Sequence, residues 1–443
     1  MLTAVRHEHV RLKSSLCAFG LILVAGVPAF AQPATPIVGR PVEAEKARDA
    51  LDFSVSLVEG YDDDLALDLN GQPSQAIALA DGGYFSALAP HLEFRSNSGK
   101  KQFAASAASE VRYYAPVERI VPVSHAAAVG FSMPVARRTI FSINQSVVYA
   151  PALLYRLFAV TTLPTLGDVS AAAPNYSVNA ADSYASSTSA SVMREFGRKW
   201  SISLASNIRY TAFTDNVEYE NARSYELGPR LTYELTRNTQ LQFSYMPDYT
   251  QYGRLQRTIF HTAEAGFIYD RALSARRRTT VAFAMGPIVQ QSIDFRSGDR
   301  AERRLMGIAA DANFSRQFTR TWSVRSAARR GVEFTEVLAT PVITNGLTIA
   351  IAGRVAPRTD IQASGSYTTG QTAVVSTPAH LSTYSADLVA RVALIRGMML
   401  TFQYLRYRYE FSELALVLPE IPPDLTRNAV RVGIMTALPV WRR

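Results

Sequence analysis

The chain has 443 residues, with 46 Lys or Arg against 37 Asp or Glu and a formal net charge of +9. Only five of the basic residues are lysine, and the arginines are scattered along the chain instead of forming a run. This scatter disfavours a nucleic-acid partner, which a basic composition otherwise raises. No segment reaches the twenty apolar residues of a spanning helix, which disfavours an inner-membrane protein.

The first residues have the features of a secretory signal. Arg6 and Arg11 precede an apolar stretch at 16–27, and Ala29-Phe30-Ala31 supplies a small-x-small cleavage site. We therefore predict a signal peptide over 1–31 and a short periplasmic segment over 32–50. Cys17, the sole cysteine, leaves with the signal, so the mature chain has no thiol for a disulfide or a metal.

From residue 51 to 441 the chain repeats one pattern about eighteen times. About ten to fourteen residues alternate between apolar and polar before each break. In the segment 200–210, one side carries Trp200, Ile202, Leu204, Ile208 and Tyr210. This period places one face of each strand on an apolar surface and the other in water. We predict one domain over 51–443, an all-β transmembrane antiparallel up-and-down β-barrel of about 18 strands (16–18).

The breaks alternate between short and long. Short ones include 97–100, 134–138 and 236–238, and long ones include 62–83 and 151–180. The gap 270–277 belongs to the short class by position but spans eight residues. Outer-membrane barrels have short periplasmic turns and longer outside loops, and the parity fits a chain that enters from the periplasm. The pattern predicts the bacterial outer membrane as the location.

Soluble all-β folds account for the pattern less well. A propeller should repeat a motif at about 40 residues, and none is visible. The apolar face also keeps ending in aromatic residues near predicted strand ends, as an interfacial girdle does. These residues are Tyr61, Tyr84, Tyr113, Tyr149, Trp200, Tyr210, Tyr249 and Tyr269.

The longest outside loop, 151–180, begins with a segment too apolar to lie in water. One interpretation is a constriction or plug folded into the lumen; the other is packing over the barrel rim or continuation of a strand. The candidate constriction residues are Leu153, Tyr155, Arg156 and Phe158.

Alternation assigns a set of charged side chains to the lumen. The predicted pore-lining residues are Arg95, Glu110, Arg112, Arg209, Glu226, Arg230, Glu234, Asp311, Arg325, Arg329, Arg354, Asp387, Arg391 and Arg431, with Glu93 and Asp248 beside them. Many of these are expected to pair across strands as a structural brace. A surplus of guanidinium groups would instead favour anions.

Two stretches do not fit the simple alternation. Arg406, Arg408 and Glu410 join the lumen set only if a bulge lies near Leu405, where the apolar parity changes. Parity also points Arg330 towards lipid, which predicts a position near the outer rim or a bulge.

The sequence has no catalytic or metal motif that we recognise. His91, His125, His261 and His380 have no Ser/His/Asp context, and no Gly-x-Ser-x-Gly elbow is present. His125 and His261 fall on the apolar parity. Asp62-Asp63-Asp64 lacks the rest of a calcium loop and is expected to be a solvated acidic loop. We expect no enzyme, no cofactor and no metal.

The two ends of the repeated region resemble bacterial outer-membrane β-barrel porins. The first strand runs into Tyr61-Asp62-Asp63-Asp64, where those proteins often have Tyr-Asp-Asp-Asn, and the last strand closes with Leu438-Pro439-Val440-Trp441-Arg442. The resemblance covers 51–443. It implies a barrel for passive diffusion, and some similar eighteen-strand barrels are linked to exopolysaccharide export.

Three functions follow from these patterns. The first is a porin-like channel for small hydrophilic, anionic solutes. The second is a conduit for secreted polysaccharide that works with a periplasmic export complex, and the third is a non-conducting structural or adhesive barrel. Expected partners are outer-membrane lipid and lipopolysaccharide, together with the barrel assembly machinery, which the terminal strand ending in Trp441 would engage. Trp441 also fits an interfacial belt.

Overall fold

The computed structural model describes twelve stretches of the chain. They are residues 48–63, 82–98, 100–115, 119–150, 182–214, 221–253, 256–274, 277–294, 301–335, 340–372, 380–412 and 424–443. The predicted signal peptide, nearly all of the predicted periplasmic segment and the candidate constriction residues Leu153, Tyr155, Arg156 and Phe158 lie outside these stretches. Within them, no helix is long and apolar enough to cross a membrane.

The described residues form eighteen β-strands. In chain order they are β1 (Asp49–Asp62), β2 (Gly83–Ser98), β3 (Lys101–Tyr114), β4 (Arg119–Ala136), β5 (Thr139–Ala150), β6 (Asp182–Phe196), β7 (Trp200–Thr214), β8 (Ala222–Thr236), β9 (Thr239–Tyr252), β10 (Gln256–Ser274), β11 (Arg277–Asp294), β12 (Ala301–Gln317), β13 (Ser323–Thr335), β14 (Thr340–Ala356), β15 (Thr359–Thr372), β16 (His380–Ile395), β17 (Met398–Ser412) and β18 (Asp424–Arg442).

Every strand is antiparallel to the next, and β1 pairs with β18, so the sheet closes into a ring. The predicted up-and-down barrel and its strand number are confirmed. At the end where β1 starts and β18 finishes, seven of the eight connections have two or three residues and the eighth, 318–322, has five. The nine connections at the other end range from three residues (253–255) to thirty-one (151–181). The expected eight-residue gap at 270–277 is wrong, because β10 continues to Ser274 and β11 starts at Arg277.

The outer surface of the ring is apolar. Large side chains on alternate positions are widely exposed there, among them Leu204 (46%), Ile349 (49%) and Ile434 (45%). A water-soluble chain does not leave such a continuous apolar belt uncovered. Aromatic pairs border the belt, with ring centroids 4.8 Å apart for Tyr149 and Tyr184 and 4.4 Å apart for Trp200 and Tyr233. This is the surface that a hydrocarbon layer between two interfaces requires.

The predicted bulge near Leu405 is absent from the described part of β17. Its registers with β16 and with β18 run from Leu400 to Glu410 without a shift. Leu405, Tyr407 and Tyr409 therefore face inward and are buried, whereas Arg406, Arg408 and Glu410 face outward and do not line the lumen. The change in polarity along β17 marks the upper edge of the lipid belt, where charged groups reach the interface.

Arg330 faces outward, as its parity indicated. It is the last β13 residue that pairs with β12, opposite Ala310, and its Nη1 donates to Asn345 Oδ1 at 2.8 Å. Beyond this point β13 turns towards the inside of the ring, because Val332 packs against the cluster of Phe260, Ile288 and Ala309.

Side chains reinforce the seam between the first and last strands. Arg427 of β18 and Asp62 of β1 form an ion pair with Nη2 and Oδ2 2.7 Å apart, and their exposed fractions are 2% and 0%. Next to it, Asp63 Oδ1 accepts the backbone N–H of Asn428 at 2.6 Å. The expectation of a solvated acidic loop is therefore wrong for Asp62 and Asp63, whose carboxylates hold the closing strand. Asp64 lies outside the described residues.

Breaking the seam ion pair is expected to weaken the barrel. Arg427→Met leaves the Asp62 carboxylate buried without its cation, which should lower the free energy of unfolding by about 3–5 kcal/mol. The double variant Asp62→Leu/Arg427→Met should recover most of that loss. Urea unfolding of the reconstituted barrel measures both values, and Arg406→Met, which removes an outward arginine at the same end, is the control. Equal losses in all three variants would contradict a buried pair.

The two faces of β14 should respond differently to a new charge. Ile349→Arg places a guanidinium in the lipid belt and should cost about 2–4 kcal/mol of unfolding free energy. Thr348→Arg puts the same side chain on the inner face, opposite Ala327 and Ser366, and should cost clearly less. Resistance of the folded barrel to denaturation in urea checks the difference. A larger loss for Thr348→Arg would reverse the assigned faces.

Candidate functional site

The candidate site is the inner face of the ring, where charged side chains collect. The registers place all fourteen predicted pore-lining residues on the face opposite the exposed apolar belt, together with Glu93 and Asp248. His125 and His261 lie on the outer face, where their Nδ1 atoms are 2.7 Å from Ser109 Oγ and 2.8 Å from Tyr245 Oη.

One group of these charges lies on β7, β8 and β9. Arg209 Nη2 is 3.4 Å from Asp248 Oδ2. Asp248 also accepts hydrogen bonds from Ser224 Oγ at 3.0 Å and Thr250 Oγ1 at 2.8 Å. Glu226 stands opposite both Asn207 and Asp248 in the sheet. The carboxylates on this part of the wall are therefore held by fixed donors.

The same group reaches across the lumen. Arg329 of β13 is 3.6 Å from Asp311 of neighbouring β12. Its charge also acts on Glu226 of β8 and Glu264 of β10, and Arg230 of β8 acts on Asp311. Because β8 and β13 are not neighbours in the sheet, these side chains approach one another through the interior. They form a charged cluster that links β8, β10, β12 and β13.

A second group lines the opposite wall, where an aromatic ring lies between two arginines. The guanidinium carbons of Arg112 and Arg431 are 4.9 and 5.6 Å from the centroid of the Phe85 ring. Gly60 makes this possible, because a Cβ there would lie 2.5 Å from Phe85 Cζ. Arg112 is held by Glu110, with Nε and Oε1 2.8 Å apart.

Arg431 differs from its neighbours in this group. Its side chain is 9% exposed, and within the described part of the chain its Nε and Nη2 have no hydrogen-bond partner. Arg112 and Arg427 repel it, while Glu110 and Asp62 are already paired with those two arginines. A buried guanidinium with open donors of this kind is suited to a carboxylate or phosphate from outside the chain.

Further pairs line the end of the lumen near the short turns. Asp360 lies opposite both Arg354 and Arg391, and Arg391 Nη1 is 3.1 Å from its Oδ2. Asp52 pairs with Arg442, and Glu93 with Arg95. The brace that alternation predicted is present at this level, where neighbouring strands contribute opposite charges.

The expected surplus of arginine on the inner face is not found among the described residues. Alternation identified most of the arginines but missed several of their partners, which are Asp52, Asp62, Glu264, Asp270 and Asp360. The charges are instead separated by wall. Carboxylates prevail on β8 to β12, and arginines prevail from β13 through β18 to β3.

Most of the inward side chains with almost no exposed surface lie towards the end with the long connections. Inward side chains there are almost fully buried, including Thr258 (0%), Thr344 (2%) and Thr368 (3%). At the other end, Glu93 and Arg95 keep 28% and 35% of their side chains exposed. Within the described residues, no group of three or more His, Asp or Glu side chains is placed to hold a metal ion.

No family model and no curated protein matches this chain. Among solved structures it is similar to OpdL of Pseudomonas aeruginosa, with 8% identity, a TM-score of 0.43, and 89% of this chain and 99% of that one covered. For OccK2 (OpdF) of the same organism, in complex with glucuronate, the values are 7%, 0.43, 89% and 98%. For OccAB2 of Acinetobacter baumannii they are 10%, 0.44, 89% and 98%. Structural similarity at this level does not assign a function to this chain. A function has to be argued from the chain's own side chains.

Proposed function

We propose that the chain is an outer-membrane channel for passive diffusion of small hydrophilic solutes. In the closed ring every strand is hydrogen-bonded to a neighbour on both sides, and the apolar belt is suited to hydrocarbon. Together these two features support a location in the outer membrane. The start of β1, the finish of β18 and the short connections lie at one end of the barrel, and this end faces the periplasm. The end with the long connections faces the cell exterior.

The observation that carries the proposal is the separation of charge across one lumen. Carboxylates such as Glu226 and Glu264 stand on one wall, and Arg325 and Arg329 stand on the other. A hydrophilic solute that passes between such walls replaces part of its hydration shell by contacts with fixed charges. An apolar molecule gains no such contacts. Oriented charges also turn a polar solute so that its dipole follows the field.

The outer end decides the size and charge of the solute. Inward side chains such as Thr258 and Thr344 have little exposed surface, which supports a narrow mouth and therefore small solutes. The open donors of Arg431, beside Arg112 and Arg427, supply attraction for carboxylate or phosphate groups. We therefore propose a preference for anionic solutes that arises at the arginine wall and not from the net charge of the lumen.

Single-channel recording in a planar bilayer tests the proposal. The purified barrel should give stable openings with a higher permeability for chloride than for potassium. Silence that ends when residues 151–180 are deleted would favour the polysaccharide conduit instead. Silence that persists after the deletion would leave the structural or adhesive barrel.

Two matched pairs of substitutions test the separated walls. Arg325→Gln/Arg329→Gln removes two positive charges and should lower the anion-to-cation permeability ratio roughly threefold, whereas Glu226→Gln/Glu264→Gln should raise it by a similar factor. Reversal potentials in a salt gradient give the ratio for each variant. A shift in the same direction for both pairs would contradict the wall assignment.

A further inference from the structure

The short connections at the proposed periplasmic end share one chemical feature. Each of the eight, from β2–β3 to β16–β17, contains at least one Lys or Arg and no Asp or Glu. We name these eight connections the basic turns. Examples are Arg137 and Arg138 between β4 and β5, and Arg237 between β8 and β9, all of which are exposed.

The charge at this end is not a general property of the loops. Of the nine connections at the opposite end, five are net acidic, as is 215–221 with Asp215, Glu218 and Glu220, two have no net charge and two are net basic. The channel does not use the basic turns, because the inner-wall charges lie on the strands. The counter-ions of the basic turns must come largely from outside the turns.

The position of the basic turns relative to the membrane surface indicates which anionic group lies nearest to them. The three tryptophans of the chain, Trp200, Trp322 and Trp441, all lie at this end, where aromatic residues mark the headgroup level of a membrane. Lys199 adjoins Trp200, and its Nζ lies 5.9 Å from the centroid of the Tyr233 ring. A turn residue one to three positions past the aromatics stands at about the depth of the lipid phosphates.

We propose that the basic turns bind the phosphate groups of anionic phospholipids in the leaflet that contacts this end. Guanidinium groups match phosphate geometry, and clustered Lys and Arg at a membrane surface attract anionic lipids. The turns recur after every second strand, so the cations surround the barrel as the lipid annulus does. A protein or a cell-wall strand would instead contact one sector. The proposal rests on the outer-membrane location given above, which makes this the phospholipid leaflet.

Lipid retention by the intact mature barrel tests this proposal. The protein is reconstituted in nanodiscs of equal parts phosphatidylglycerol and phosphatidylcholine, and native mass spectrometry counts the lipids that remain bound after release. The wild type should retain phosphatidylglycerol over phosphatidylcholine by about tenfold. A variant with Arg137, Arg138, Arg237, Arg320 and Arg358 replaced by Gln should lose that preference, and the same five changed to Lys should keep most of it.

Two further measurements keep the outcome decisive. In 1 M salt, where the screening length falls to about 3 Å, the wild-type preference should decrease sharply, and this requires no variant to fold. Conductance of the Gln variant in phosphatidylcholine bilayers should equal that of the wild type, because the turns lie outside the lumen. Normal conductance with no lipid preference in the wild type would overturn the lipid proposal alone. Retention by purified peptidoglycan without any lipid preference would also overturn it.

Discussion

Hydrocarbon offers no hydrogen bonds, so a sheet that spans it must leave no backbone edge open. In this chain that constraint falls on the pairing of β1 with β18, which lie at opposite ends of the sequence. The buried ion pair of Asp62 and Arg427 lies where β1 ends and β18 begins, and there Asn428 also donates two hydrogen bonds to the Asp63 carboxylate. The acidic residues at the end of β1 therefore have a structural role, because they bind β18, the last strand of the chain.

Once the ring is closed, its two surfaces meet different solvents. The outer surface can be apolar at every second position, and the inner surface must accommodate the charged residues between them. A buried charge is costly unless a partner and hydrogen bonds offset its lost hydration. Most described inner charges meet this condition, as Asp248 does with Arg209, Ser224 and Thr250. Arg431 stands out because its Nε and Nη2 have no hydrogen-bond partner among the described residues.

The separation of charge across the barrel has a simple consequence for the proposed transport. Because carboxylates prevail on one wall and arginines on the other, the inner face produces a field across the lumen. In the proposed channel this field would act on the solute without any movement of the barrel. In the proposed channel, selectivity would therefore rest on side chains held in place by the sheet.

The sequence was sufficient for the fold, because a period of two with lipid outside and water inside leaves one architecture. The strand number and the faces of the fourteen predicted residues followed from the same alternation. The alternation gave a wrong prediction where the surroundings of a strand change along its length. On β17 the outward positions near Arg406 and Arg408 lie at the headgroups instead of in lipid, and the resulting change in polarity resembles that of a bulge. The alternation also missed Asp360 and Glu264, since polar positions next to turns or glycines carry no periodic signal. Proximity across the lumen, as between Glu226 and Arg329, depends on closure and has no local signature.

Solvent access along a single strand tests the central claim most directly. Cysteines introduced one at a time from Ser201 to Tyr210 of β7, in a Cys17→Ser background, can each carry a spin label in a reconstituted bilayer. Collisions with dissolved oxygen should be highest at Ile202, Leu204 and Ile208, and collisions with a water-soluble nickel chelate should be highest at Ser201, Ser203 and Asn207. A smooth gradient along the strand, or a period near 3.6 residues, would contradict a barrel with lipid outside and water inside.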